Sequence, residues 1–279
     1  MAFHGPSSQC HPNCLRAMNA QEDYGASQRA AMLAVDLISS ARAILKLDSV
    51  CTLYSAQYLV DNAGPKRESG QEEWDPQREI TIQDLVDYLR DMAIPSEEGE
   101  MEQQRPELSV KDCLECAFRD GLPRREHWGH VGCVSKVPPF ASLIPRVPMK
   151  GKVLEAEKWE QAVALLRKQP VGAKLHVFSP EIDLVDEGVG VYDGPAGPES
   201  VYVGLRDVMI TGFGKKKGKK GEKFAELRIC YKKKSKFIQV SLGRVLTSLP
   251  RDGDESKVIE PTGLLVDFIV PRFSKKTRA

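Results

Sequence analysis

Between positions 113 and 133, "CLECAFRDGLPRREHWGHVGC" gathers Cys113, Cys116, His127, His130 and Cys133, side chains that zinc prefers as ligands. A CxxC pair can share one ion, yet the ten-residue spacer and the tight HxxH do not match a standard finger. Cys113 and Cys116 read equally well as neighbours on one turn of a helix. The expectation is no bound metal, with Cys113, Cys116, His127 and His130 as the weak alternative set. His176, in "AKLHVF", is the only histidine of the second half. A solitary histidine with no orienting partner is expected to be structural or partly exposed rather than an acid or base. No cofactor is expected. "GFGKKKG" follows a strand pattern but no helix follows it, so it lacks the strand-to-helix turn of a phosphate loop.

A second chemistry is that of clustered lysines. Lys215, Lys216, Lys217, Lys219 and Lys220 in "KKKGKKGEK", and Lys232, Lys233 and Lys234 in "KKKSK", flank the strand-like "FAELRICY" and should project from its two ends or from adjacent loops. A solubilising loop is one reading. Weak binding to a polyanion or recognition for nuclear import is the other, because clustered lysines release counterions without reading sequence. No set of stacking aromatics accompanies them, so specific single-strand recognition is not expected.

The elements that must position these residues change character along the chain. From Ser27 to Leu47, apolar residues recur at steps of three and four, the period of a buried helix; "CTLYSAQYLVDNAG" follows as a shorter element. Residues 63–79 combine Gly, Pro and mixed charge as a surface loop, and "ITIQDLVDYLRDMAI" reads as an amphipathic helix closed by Pro95. Residues 155–168 read as a helix ended by Pro170. Short β-rich runs come after it: "VGAKLHVF", "VGVYDG", "DVMITGFG", "FAELRICY", "KFIQVSL" and "LLVDFIV". Helices first and strands later give an α+β chain with a helical lobe and an antiparallel β lobe.

Composition bounds the rest. At 279 residues with 41% hydrophobic and 28% charged, the chain can bury a sizeable core. The net charge of +1 hides an acid-rich stretch from Arg67 to Glu107 and lysine-dense sequence after Lys215. No run approaches the roughly 18 apolar residues of a membrane span, and the opening lacks a basic-then-apolar secretory pattern, so no membrane partner and a cytoplasmic or nuclear location are expected. Seven irregularly spaced cysteines are expected to stay reduced.

Several stretches, in order over roughly residues 15–245, resemble the papain family of cysteine proteases. "YSAQYLVDN" is similar to that family's "LSEQxLVDC", "WEQAVALLRKQPVGAKLHVF" to "AVAxQPVSVAI", "VGVYDGPAG" to "GVYxGPCG" and "DVMITGFG" to "AVLIVGYG". "QEDYGASQRA" lies where the family has "QGSCGSCWAF". The resemblance implies a two-lobed fold: an N-terminal extension (1–14), a helical left lobe (15–118), and an antiparallel, barrel-like right lobe with Lys-rich loops and a basic tail (119–279), with a substrate cleft between the lobes.

It also implies that the catalytic apparatus is gone. Gln21 falls at the oxyanion-hole glutamine, Ser27 at the nucleophilic cysteine and Gln28 at the tryptophan after it. The base position holds Arg206, whose guanidinium accepts no proton, and the orienting asparagine falls on Ile229. Triad members act as a unit, so loss of all three predicts no useful hydrolysis. Tyr24, Asn62 and Ala196 stand where the motifs carry disulfide cysteines, in keeping with a reducing compartment. The segment before Gln21 is expected to be too short for the family's inhibitory propeptide. The resulting expectation is an inactive homologue that binds a protein or peptide, with Gln21, Ser27, Gln28, His176, Arg206 and Asp207 as the candidate cleft. Two alternatives stay open: a residual peptidase in which Asp207 serves as base for Ser27, and a basic nucleic-acid-associated module working through the lysines.

Overall fold

The computed structural model describes residues 22–64, 81–83, 86, 106–128, 130–132, 141–185, 190–215, 222–247 and 261–274. Most of the loop expected at 63–79 and of the helix expected from "ITIQDLVDYLRDMAI" lies outside them. The chain divides into two compact units. One comprises Met1–Ser39, Asp48–Lys152 and Phe273–Ala279; the other comprises Ser40–Leu47 and Val153–Arg272.

Helices dominate the described part of the first unit. Helix α1 (Ala26–Ile44), which belongs to the second unit from Ser40 onward, is alanine-rich, and Ala30, Ala31, Ala34, Leu37, Ile38 and Ala41 are all buried. It ends three residues short of the expected Leu47 for a local reason. Lys46 takes a left-handed φ of 53°, its N–H donates to Ala43 O (3.1 Å), and the Leu47 N–H donates to Arg42 O (2.9 Å), which together close a Schellman motif. Helix α2 (Ala56–Asn62) starts at Ser55, whose Oγ accepts the Tyr58 N–H. Helix α3 (Val110–Asp120) opens on a capping box between Ser109 and Asp112. It stops at Gly121, φ 74°, where a Cβ would stand 2.8 Å from Val147 O. That close approach lets β1 (Leu122–Pro123) pair with β2 (Arg146–Val147). Trp128 packs edge-on against Tyr58 at 5.0 Å and donates its Nε1–H to Asp61.

A seven-stranded sheet organises the second unit. In chain order the elements are β3 (Gly151–Ala156), α4 (Trp159–Leu166), β4 (Val171–Ser179), α5 (Glu181–Leu184), β5 (Val191–Tyr192), β6 (Val201–Lys215), β7 (Lys223–Tyr231), β8 (Lys234–Ser241), the minor pair β9 (Val245–Leu246) and β10 (Thr262–Gly263), and β11 (Leu265–Phe273). The sheet order is β3-β11-β4-β6-β7-β8-β5. The ladders from β11 to β8 run antiparallel, as expected, but β5 joins β8 in parallel. Residues 155 and 156, read as the start of a helix, instead finish β3. The run "KVLEA" alternates well enough to serve as an edge strand, and the helix starts only at Trp159. One cluster, including Leu175, Val177, Val208, Ile210, Leu227, Ile229 and Val240, forms this unit's core. Among the described residues, no helix is long and apolar enough to cross a membrane.

Candidate functional site

Helix α1 carries Ser27, the residue expected at the nucleophile position, at its start. Gly25 is its N-cap: its carbonyl accepts the Arg29 N–H and its own N–H donates to Gln28 Oε1, both at 3.0 Å. This is the backward half of a capping box, so Gln28 serves the helix terminus. Ser27 is half-buried, and its Oγ accepts the Leu108 N–H at 3.0 Å. Leu108 directly precedes the cap of α3, so the hydroxyl ties the starts of two helices together. Among the described residues, the hydrogen bond recorded for Ser27 runs to a backbone amide rather than to a basic side chain. Gln21 lies outside the described residues.

The residues expected at the base and orienting positions, Arg206 and Ile229, lie in the sheet of the second unit. Arg206 on β6 stands opposite Leu175 on β4, and Asp207 stands opposite Lys174; both are half-buried. Strand alternation puts Arg206 on the face of Val208 and Ile210, both core residues. Ile229, 1% exposed, pairs with Val208 on β6 and Lys236 on β8. At the residue expected in the orienting position, the structure packs a hydrocarbon into the core.

His176 is buried on β4, one register position from Arg206, and pairs with Leu205. Its Nδ1 shares a 2.9 Å hydrogen bond with Tyr202 Oη, and Tyr202 also packs against Phe178 at 5.1 Å. Burial pushes the imidazole pKa down and outweighs the opposing charge of Asp267, so the ring sits neutral. Tyr192 locks the same strand: its O–H donates to His176 O and accepts the Phe178 N–H.

Polar contacts hold Tyr24, Asn62 and Ala196, the residues expected where the family motifs have half-cystines. Asn62 Nδ2 donates to Tyr58 O at 2.8 Å, while the Tyr24 N–H donates to Asp23 and Arg29 donates to Tyr24 O. Around Ala196 the backbone N–H donates to Glu181 Oε1 (3.0 Å) and Ser200 Oγ (3.1 Å). Ser200 in turn donates to Glu181, and Arg244 grips Pro195 O at 2.9 Å. Burial raises the Glu181 pKa, but the hydrogen bonds from Ser200 and the Ala196 N–H outweigh it and keep the carboxyl ionised. Sequence reading passed over Glu181, Ser200 and Arg244. They are far apart in the chain, and no short motif marks them.

Among the described residues, the zinc-type side chains do not converge on one point. Cys113 and Cys116 are buried on α3, and Cys116 Sγ donates to Asp120 at 3.6 Å. Burial first, then the Asp120 charge, pushes the Cys116 thiol pKa up to about 12, which keeps it protonated and a poor ligand. His127 is exposed beside Glu126. His130 is half-buried, its pKa lowered by burial and then by Arg125. Cys133 lies outside the described residues, among which no three His, Cys, Asp or Glu side chains group to hold a metal.

The glycines of "GFGK" serve strand packing. A Cβ on Gly214 would come within 2.7 Å of the Phe224 ring, and one on Gly212 within 2.8 Å of the Glu226 carboxylate, so both make room for cross-strand side chains. Lys215 ends β6 opposite Lys223. Lys216, Lys217, Lys219 and Lys220 lie outside the described residues. Lys232 and Lys233 form the two-residue turn between β7 and β8, and Lys234 opens β8.

Comparison with known proteins gives this arrangement its relatives. Among solved structures, bromelain from Ananas comosus bound to the inhibitor E64 matches 93% of this chain and 97% of its own at a TM-score of 0.51. With 14% identity, that likeness carries the fold alone, a papain-like one. In sequence, the chain is 53% identical to Protein HEAT-INDUCED TAS1 TARGET 1 of Arabidopsis thaliana over 95% of both proteins. It is 55% identical to Protein HEAT-INDUCED TAS1 TARGET 4 of the same plant over 96% of this chain and 95% of that protein. The model of the HEAT-INDUCED TAS1 TARGET N-terminal domain matches residues 2–150. On that match and those identities, this papain-like chain belongs to the HEAT-INDUCED TAS1 TARGET family.

Proposed function

We propose that the chain is a papain-like protein that binds a protein or peptide without cutting it. What supports this reading is that the side chains expected at the nucleophile and orienting positions serve the fold. Ser27 Oγ accepts a backbone amide, and Ile229 is buried in the sheet core. The base position, Arg206, bears a side chain that takes up no proton. An oxygen with a lone pair engaged by an N–H, and with no base bonded to it among the described residues, is a poor nucleophile. Among the described residues, the reduced Cys51 and Cys116 support a reducing compartment, in the cytoplasm or nucleus.

The guanidinium at Arg206 favours ligands with acidic or carboxylate groups, which it can engage through paired hydrogen bonds. Turnover of a panel of quenched fluorescent peptides tests the first half of the reading, with wild type beside Ser27→Ala and Ser27→Cys. No turnover by any of the three is expected, and Ser27-dependent turnover would restore the peptidase. The second half is tested on partners recovered by pull-down. Arg206→Ala should weaken the acidic ones, and unchanged affinity for all of them would remove the carboxylate preference.

A further inference from the structure

The turn between β7 and β8 is built against backbone preference. Lys232 and Lys233 both take left-handed φ values, 49° and 58°, as a type I′ hairpin requires, where Asn-Gly fits with least strain. Side chains hold the turn in place. Lys232 Nζ lies 2.8 Å from Asp183 Oδ1, Lys236 Nζ donates to Ile182 O at 2.6 Å, and both ammonium groups lie near the Tyr231 ring at 5.1 and 5.8 Å. Within this frame Ser235 is exposed on β8, one rung past the turn and opposite Cys230. Three lysines precede it directly and a fourth follows.

A serine hydroxyl behind a block of positive charge is the pattern that acidic substrate grooves of basic-directed protein kinases select. We propose that Ser235 is a phosphoacceptor for such a kinase, with Lys232, Lys233 and Lys234 as the docking charges and the strained turn as the point where the strand end peels from β7. In the transfer, Ser235 Oγ attacks the γ-phosphorus of kinase-bound ATP. The new O–P bond forms as the bond to the β,γ-bridging oxygen breaks, ADP leaves, and the hydroxyl proton passes to the kinase's carboxylate base. The phosphate adds a charge of about −1.5 to −2, enough to offset roughly half of the four lysines and to compete with Asp183 for Lys232. This proposal is independent of whether the chain binds a peptide.

The test incubates the full chain with the catalytic domain of a basic-directed Ser/Thr kinase and labelled ATP, then maps the phosphate by mass spectrometry. Label is expected on Ser235, to fall about tenfold or more in Ser235→Ala and to persist in Ser235→Thr, which shows that the acceptor hydroxyl rather than the fold is being read. Lys232→Ala combined with Lys233→Ala should lower kcat/KM for labelling about fivefold or more. A free peptide covering 229–238 serves as the second substrate. Labelling of the peptide but not of the protein would show that the hairpin withholds Ser235. Labelling of neither, or of other serines with Ser235 empty, would equally overturn the proposal.

Discussion

Replacing Ser27 by alanine separates a structural hydroxyl from a catalytic one. Its Oγ accepts the Leu108 N–H at 3.0 Å across 81 positions of sequence, and that amide sits one residue before the cap of α3. The methyl group leaves the amide without its acceptor in a part-buried setting, where water can partly take over. The cost should be about 1 kcal/mol, near the net value of one hydrogen bond and below the penalty for a fully buried orphan. Read by native-state hydrogen exchange, about 1 kcal/mol is roughly a fivefold loss of protection, and it should concentrate at Leu108 and the first turn of α3. Ser27→Thr keeps an acceptor oxygen and should recover most of it. Ser27→Cys, with a weaker acceptor, should fall between serine and alanine. Unchanged Leu108 protection in Ser27→Ala would refute the assigned role, and with it the main support for an inert hydroxyl.

Rebuilding the family's asparagine should fail for a physical reason: Ile229→Asn gives up a buried aliphatic side chain and places an amide in the sheet core, costing roughly 3–5 kcal/mol. A urea midpoint shift of less than about 1 kcal/mol equivalent would show that the site tolerates a polar group. His176 titrates below its ordinary value of 6.5 in the native state because it is buried. The unfolded chain therefore binds the proton first, and this contribution to stability is complete above about pH 6.5 and is lost as pH falls towards the native pKa. Urea midpoints measured from about pH 7 to about pH 5 should show that loss in wild type and lack it in His176→Asn; parallel profiles would contradict the assignment. Lys233→Gly should raise stability by about 1 kcal/mol, since glycine enters the left-handed region without penalty, and thermal unfolding of the variant would show an unchanged or lower Tm if the turn is not strained.

What the sequence made legible was what hydrophobic periodicity governs. The helix at α1 and the strands β4, β6, β7, β8 and β11 stand where apolar residues recur with the matching period, because burial of those faces is the force that forms them. β3 escaped, since "KVLEA" fits an edge strand and a helix start equally and only pairing with β11 decides between them. At the site, type could be read but not engagement. Serine at position 27 can be set against the thiol that the resemblance implies there, while its bond to Leu108 depends on a residue 81 positions away. His176 read as a possible strand-surface group because Tyr202, its partner, is 26 positions distant.

The half-cystine positions carry that reasoning furthest. Ala196 alone reports only that a sulfur is absent, yet Glu181, Ser200 and Arg244 hold its loop from three directions with hydrogen bonds that need no oxidant. These bonds lie at the exposed surface and two of them share the Ala196 N–H, so together they contribute less than the about 2–5 kcal/mol of one native disulfide in a small domain. The two devices differ in what they act upon. In the chain-entropy picture a disulfide constrains the unfolded chain, whereas these contacts stabilise only the folded one. Loosening this loop should therefore depend on pH and salt through Glu181 and Arg244, while reductant leaves it unchanged.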